Sequence, residues 1–199
     1  YIGDVNLLSK SKIIDSIYNI YLEKSFLKKN EIFKTSNFQR ERDRINSLMK
    51  NNGIYNFQIN SVFFDVEIDS TRDVYSLPVK IIIDGDDYRK HNIKEIKIIN
   101  VKNSEEFSGR SFLTNQIEFG LNEAFNDSLR SKTIQNINNL DLFSFPSIAY
   151  EYINESDDEL SANIFLNPKK KYGLGFGFDI KQSDIEDIGV SFENRFKSR

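Results

Sequence analysis

One order of predicted elements occurs twice in this chain, and this repeat limits what the chain can fold into. The spacing of apolar residues predicts a strand, two helices and two strands in residues 1–86, and the same order in residues 87–168. An offset of 88 residues aligns the copies and pairs Arg42 with Arg130, Met49 with Ile137, Tyr55 with Phe143, Phe57 with Phe145, and Phe64 with Tyr152. The sequence therefore predicts an α+β protein with two tandem β-α-α-β-β units.

The helices of the first unit are predicted from apolar residues that recur on one face. In residues 12–25 these are Ile13, Ile14, Ile17, Ile20 and Tyr21. A capping box predicts the start of the second helix, with Ser36 as N-cap and Gln39 three residues later. Gly53 is expected to end that helix, since glycine readily takes a positive φ. The residues predicted to point inward are Phe38, Ile45, Leu48 and Met49, and those predicted to point outward are Arg40, Glu41, Asp43 and Arg44.

Two strands complete the first unit. Phe57 and Ile59 alternate with polar residues, and after a slip at Asn60-Ser61 the alternation resumes at Val62, Phe64, Val66 and Ile68. A slip of one residue predicts a β-bulge. Residues 75–83 form the next strand, in which Pro78 is expected at an unpaired or bulged position because it has no N–H for a ladder. In the second unit, strands are predicted at 93–101, 148–152 and 160–166, and helices at 112–119 and 129–140.

The last 31 residues follow a different pattern. Large apolar residues alternate with glycine or polar residues in two adjoining segments, which is typical of a membrane β-barrel hairpin. The residues predicted to face lipid are Tyr172, Leu174, Phe176, Phe178, Ile188, Val190 and Phe192. Three lysines, Lys169 to Lys171, precede the hairpin; they are expected either to meet lipid headgroups or to form a solvated linker.

Composition excludes several classes of function. The chain has no cysteine, one histidine and a net charge of −3, so disulfides, thiolate chemistry and a nucleic-acid footprint are not expected. The histidine, His91, lies in a charged turn and is predicted to be solvated. Acidic runs at 84–87 and 155–159 lack the ligand order of an EF-hand, and no helix follows the glycines at 173–177 as a phosphate cradle requires. No catalytic residue, cofactor or metal is predicted.

No apolar run approaches the length of a membrane helix, and the start at Tyr1 suggests a mature or excised fragment.

The repeat, placed before a barrel-like hairpin, resembles the BamA/TamA superfamily of outer-membrane assembly factors. Their POTRA domains have this element order, with a Gly-Tyr-aromatic turn before the second strand. Matching stretches are residues 40–57, which contain Gly53-Ile54-Tyr55, and residues 133–143, where Asp141 replaces the glycine. Residues 164–168 are similar to the last POTRA strand before the barrel. Residues 193–196 are similar to the end of the second barrel strand in TamA-like proteins of the Bacteroidota type.

This resemblance implies two POTRA modules, each a three-stranded mixed sheet under two helices, at residues 1–86 and 87–168. Residues 169–199 would then be a linker and the first, truncated barrel hairpin. The implied location is the outer membrane, with the modules in the periplasm. The implied function is to receive unfolded outer-membrane proteins and pass them to a barrel, together with accessory assembly subunits and without enzymatic chemistry.

The resemblance also implies a binding surface, because the second strand of a POTRA domain lies at a sheet edge. An edge strand has free N–H and C=O groups that can pair with an extended client. The candidate residues are Phe57, Ile59, Val62, Phe64, Val66 and Ile68 in the first unit and Ile148, Tyr150 and Tyr152 in the second. Two alternatives stay open: an inert edge protected by charge and a bulge, and a scaffold that docks accessory subunits through the charged face of the helix at 40–44. An unrelated α+β enzyme is a further alternative.

Overall fold

The first half of the chain forms a three-stranded sheet covered by two helices. The computed structural model describes residues 1–67, 76–107, 111–153 and 158–169 in full, and the backbone of 172–181 and 189–198. The strands are β1 (Ile2–Ser9), β2 (Val62–Val66) and β3 (Leu77–Ile83), and the helices are α1 (Lys12–Ile20) and α2 (Thr35–Asn51). In the sheet order β1-β3-β2, β1 is parallel to β3 and β2 is antiparallel to it. A 3₁₀ turn, Leu22–Lys24, extends α1.

The second half repeats this arrangement and adds one short strand. Its elements are β4 (Asn92–Asn100), β5 (Glu105–Glu106), α3 (Ser111–Thr114), α4 (Asp127–Asn139), β6 (Phe143–Tyr152) and β7 (Glu159–Pro168). The order is β5-β4-β7-β6, with β4 parallel to β7 and β6 antiparallel to it. The predicted mixed α+β fold is confirmed. The addition is β5, which pairs only with Ile99 and Asn100 and makes this sheet four-stranded.

Each sheet buries its own apolar core against its helices. In the first core, Ile14 and Ile17 of α1 and Ile45 and Met49 of α2 pack on the inward residues of the strands. In the second core, Ile137 of α4 packs on Ile148, Ala162 and Ile164. Full burial of one such aliphatic side chain contributes about 1.5–3 kcal/mol. The predicted helical face of α1 holds for Ile14 and Ile17, whereas Ile20, the last helical residue, is 70% exposed.

The start of α2 differs from the predicted capping box. Lys34 is the N-cap, with extended backbone, and Thr35 is already helical. Ser36 therefore lies inside the first turn, and no side chain caps the helix. The end is as predicted, since Gly53 has φ +98°. By contrast, α4 has a side-chain cap: Asn126 accepts from the N–H groups of Ser128 and Leu129.

Glu41 corrects the predicted outward face of α2. Its carboxylate is fully buried and accepts a backbone N–H from Phe26 at 2.8 Å and two bonds from Arg44, the shorter at 2.6 Å. The hydroxyl of Tyr18 also donates to it at 3.3 Å. A buried carboxylate is tolerated only with such partners. Arg40 and Asp43, the other members of this charged face, are exposed as predicted.

Pro78 lies where the pairing of the central strand is interrupted, as expected. The β1–β3 register shifts between Ile2 and Val5, opposite Leu77 and Val79, so Pro78 falls at the irregularity. Gly3 is required here because a Cβ would come within 2.8 Å of the Ser76 Oγ and 3.0 Å of the Pro78 nitrogen. The Pro78 carbonyl still accepts the Glu67 N–H at 3.1 Å on the β2 side.

The last two strands, β8 (Tyr172–Lys181) and β9 (Gly189–Ser198), form an antiparallel pair. The register places Phe178 opposite Phe192, and Leu174 and Val190 opposite the apolar residues Phe196 and Ile180. Tyr172 and Phe176 lie opposite the polar residues Ser198 and Asn194. Ile188 lies outside the described residues. Lipid contact by the predicted set, which also includes Tyr172, Leu174 and Phe176, stays a prediction.

Candidate partner-binding edges

The outer edge of β2 is one candidate site, and its geometry follows from two backbone hydrogen bonds. The Glu67 N–H donates to Pro78 and the Ser61 carbonyl accepts from Asp84, so both residues face β3. Backbone polar groups alternate sides along an antiparallel strand. Val62, Phe64 and Val66 therefore turn their N–H and C=O groups to the outer edge, where no described strand pairs with them.

Arg42 closes the beginning of this edge. Its Nε donates to the Val62 carbonyl at 3.1 Å, and its guanidinium lies 5.3 Å from the centre of the Phe64 ring. The same side chain donates to the Gln39 Oε1 at 3.1 Å. No described residue bonds the outward backbone groups of Phe64 and Val66. Within the described ranges, the part of the edge whose outward backbone groups have no partner is thus residues 64–66.

The solvent face of β2 is charged and carries one exposed aromatic ring. Phe63 is 50% exposed, and Asp65 and Glu67 follow on the same face. Glu67 forms an ion pair with Lys80 of β3. The hydrogen bond to Glu67 is the main cause that raises the pKa of Lys80 above its usual value. Exposed pairs of this kind stabilise little but discourage non-specific pairing of the edge.

The outer edge of β6 is the second candidate. Ile153 donates its N–H to Glu159, the residue at which β7 begins, so Ile148, Tyr150 and Tyr152 turn their backbone groups away from β7. The Tyr150 carbonyl accepts a hydrogen bond from the hydroxyl of Tyr55 at 3.2 Å. Tyr150 is equivalent to Val62 under the 88-residue offset. Both edges are therefore capped at the same position, by a local arginine in one and by a tyrosine of the other half in the second.

A ring cluster surrounds Tyr55 where the two halves meet. Its ring centre lies 5.1 Å from that of Phe125, 5.7 Å from Tyr150, 5.9 Å from Tyr152 and 5.9 Å from His91. Burial raises the pKa of Tyr150 far above its ordinary value. The Tyr150 hydroxyl has no hydrogen-bond partner within the described segments. The cluster is therefore held mainly by ring packing and backbone contacts.

His91 belongs to this joint, which corrects its predicted place in a solvated turn. It is 2% exposed, and its Nδ1 lies 3.2 Å from the Gly53 carbonyl and 3.3 Å from the Tyr55 nitrogen. Its backbone N–H donates to the same carbonyl at 2.9 Å. The charged neighbours in sequence suggested exposure, but the contact with the turn at Gly53 buries the ring. The Nδ1 of His91 thus has a structural role, in contact with the backbone of Gly53 and Tyr55.

The predicted edge strand of the first unit is longer than the observed one. Phe57 is 1% exposed in the core, and Ile59 lies in a 3₁₀ turn, Ile59–Ser61, that replaces the predicted bulge. Ile68 lies outside the described residues. In the second unit Ile148 is buried and Tyr152 is 46% exposed. Among the described strands, β6 also has a register shift typical of a bulge, between Ser144 and Ser147.

Two capping residues and one exposed ring had no predicted role. The repeat pairs Arg42 and Tyr55 with Arg130 and Phe143, and Tyr55 also lies in the stretch that matches the POTRA turn, but nothing in their spacing shows that they bind edge carbonyls. Phe145 is 94% exposed with φ +51°, whereas its equivalent Phe57 is buried. Only the proline after it, Pro146, was a sequence signal for an irregular strand.

Solved structures of known proteins resemble this chain in fold, whereas comparisons of its sequence find no match. No family model matches the sequence, and no curated protein matches it. The structure of BamA from Haemophilus ducreyi lacking POTRA domains 1–3 is similar, with a TM-score of 0.67 and 12% identity over 89% of this chain and 31% of that one. POTRA domains 3–5 of BamA from Haemophilus influenzae give a TM-score of 0.54 and 13% identity, over 83% of this chain and 60% of that one. The chain has the POTRA fold.

The POTRA fold accounts for the two sheets and their tandem order. The chain spans less than two thirds of the length of either BamA structure. In the described segments, no helix is both long and apolar enough to cross a bilayer. Within the same segments, no three acidic, histidine or cysteine side chains come together as metal ligands would.

Proposed function

We propose that this chain is the periplasmic, non-enzymatic part of an outer-membrane factor that assembles or translocates proteins. Two POTRA-like sheets followed by a strand pair of barrel-like sequence support this proposal. The proposed boundaries are residues 1–86 and 87–168 for the modules and 169–199 for the linker and first barrel hairpin. The proposed partners are unfolded outer-membrane proteins and accessory assembly subunits, and the modules lie in the periplasm beside the membrane.

The proposed mode of binding is addition of an extended client strand to a sheet edge. The observation that carries it is the outer edge of β2, where Phe64 and Val66 direct backbone groups away from the sheet and no described residue binds them. Main-chain pairing recognises an extended chain with little regard to its sequence. Such tolerance suits a module that handles many barrel proteins.

The short length of this edge predicts weak, transient binding. Two outward residues offer four backbone groups, each contributing about 1 kcal/mol net when paired. Association costs at least about 4 kcal/mol of translational and rotational freedom. A client would therefore be held briefly and passed on, with client folding and strand pairing in the barrel supplying the free energy.

An NMR titration tests this proposal. Isotope-labelled protein is titrated with a ten-residue β-strand peptide from an outer-membrane barrel protein. We expect chemical-shift changes concentrated at residues 62–67. The peptide with alternate N-methylated amides is the matched control, because it cannot form the ladder and should cause no such changes. Unchanged spectra at millimolar peptide would contradict strand addition.

The docking-scaffold alternative is tested by a charge reversal of exposed residues only. The structure restricts it to Arg40 and Asp43, because Glu41 is buried and the partly exposed Arg44 forms an ion pair with it. Loss of accessory-subunit binding in Arg40→Glu/Asp43→Arg, with client binding intact, would favour the scaffold.

A further inference from the structure

The two POTRA-like edges are not equally available to a partner. Both strands direct a backbone carbonyl outward at equivalent positions, Val62 and Tyr150. The Val62 carbonyl is capped by Arg42, a long side chain of the same half, and the edge continues beyond it at Phe64. The Tyr150 carbonyl is capped by Tyr55, whose ring also lies against Tyr150 and Tyr152.

Tyr55 is fixed in place by the contact between the two halves. Its own N–H lies 3.3 Å from the His91 Nδ1, and the preceding turn accepts the His91 backbone N–H at Gly53. The end of α2 is tied to the start of α4, since the Asn51 carbonyl accepts from the Asn126 amide at 3.0 Å and the Asn51 Oδ1 accepts from Ser128 at 2.9 Å. An incoming strand would have to displace Tyr55 from this whole set of contacts.

The rest of the β6 edge is also unsuited to pairing. Between Ser144 and Ser147 the strand has a bulge that contains Phe145, at φ +51°, and Pro146. A bulge and a proline interrupt the regular alternation that a partner strand needs. The regular part of this edge is therefore residues 147–153, and Tyr55 covers its centre at Tyr150.

We propose that Tyr55 is a latch between the two halves that closes the β6 edge, so that a client strand adds to β2 while the halves are docked. The β6 edge becomes a second receiving site only when the joint opens and the Tyr55 ring and hydroxyl leave Tyr150. This inference rests on strand addition as the function of the edges. It makes the angle between the modules a determinant of how many client segments the protein holds.

Peptide-dependent hydrogen exchange, measured by mass spectrometry on the full-length protein in nanodiscs, tests the latch. The probe is the same barrel-strand peptide. In the unsubstituted protein we expect peptide-induced protection at residues 62–67 and none at 147–153. In Tyr55→Ala we expect new protection at 147–153. Tyr55→Phe, which keeps the ring and loses only the hydroxyl, should show a smaller gain, with binding at this edge about fivefold weaker than in Tyr55→Ala.

Tyr88→Phe is the matched control, because the Tyr88 hydroxyl also donates to a backbone carbonyl, that of Asp84, but away from either edge. This variant should leave residues 147–153 unprotected. Absence of new protection there in a folded Tyr55→Ala protein overturns the latch, whatever happens at β2. If Tyr55→Ala does not fold, the absence of new protection at residues 147–153 in Tyr55→Phe overturns the latch instead. Absence of protection at 62–67 in every variant would instead overturn strand addition at β2, and the two failures are thus distinguishable.

Discussion

At equivalent positions of the two sheets, Val62 and Tyr150 direct a carbonyl to the outer edge, yet the two edges differ in what surrounds that group. Arg42 reaches Val62 from the helix above it, whereas Arg130, its equivalent, instead bonds Asp127 at 2.8 Å. Tyr55 from the other half takes the place of the arginine. The same fold, repeated, thus leaves Phe64 and Val66 of one edge without a partner among the described residues and uses the other edge to join the modules.

The largest expected effect comes from two phenylalanines that the repeat aligns. Phe57 is buried and lies 5.4 Å from the Tyr88 ring, whereas Phe145 is 94% exposed. We expect Phe57→Ala to lower the free energy of unfolding by about 4 kcal/mol and Phe145→Ala to change it by less than about 0.5 kcal/mol. Urea unfolding measures both. Equal losses would show that the repeat positions share one environment.

A buried acid in one module corresponds to a leucine in the other. Glu41 aligns with Leu129, so the second module fills this position without charge. We expect Glu41→Ala to cost about 3 kcal/mol, because Arg44 and the Phe26 N–H lose their partner. The double variant Glu41→Leu/Arg44→Leu should recover most of this loss. If the double variant is as unstable as the single one, the ion pair is not the cause.

The turn after the second helix needs a positive φ in both modules. Gly53 has φ +98° and its equivalent Asp141 has φ +54°, a region that Asp tolerates better than most residues. We expect Gly53→Ala to destabilise by about 1–2 kcal/mol and Asp141→Gly to stabilise slightly. Thermal unfolding of both variants measures the contrast. A stabilising Gly53→Ala would contradict the assignment of this turn.

The smallest effect concerns a buried tyrosine and pH. Burial, with the nearby charge of Glu41, raises the pKa of Tyr18 to about 12 from 10.0. The neutral hydroxyl is thus favoured in the folded state. Its contribution to the free energy of unfolding is complete below pH 10 and is lost as the pH rises towards 12, because the unfolded chain ionises first. We expect an alkaline loss of about 1 kcal/mol between pH 9 and 11 that is absent from Tyr18→Phe. Identical pH profiles of the two proteins would contradict this assignment.

Period and spacing predicted most of the fold, because the buried faces of α2, α4 and the strands consist of apolar residues at regular intervals. The wrong predictions of exposure for Glu41 and His91 share a physical cause. Glu41 and His91 are buried by partners distant in sequence, Tyr18 in one case and the turn at Gly53 in the other. No local pattern encodes such contacts, and the same holds for the Arg42 and Tyr55 caps. The shorter β2 reflects a 3₁₀ turn whose residues also suit a strand.

Site-specific photo-crosslinking in cells can compare the two edges under the proposal that the POTRA-like edge of β2 receives clients while that of β6 is closed. A photoreactive phenylalanine analogue replaces Phe63, on the exposed face of β2, or Glu151, its repeat equivalent on β6. We expect crosslinks to unfolded barrel proteins from position 63 and few or none from position 151. Equal crosslinking from both positions, or crosslinking from position 151 alone, would contradict it.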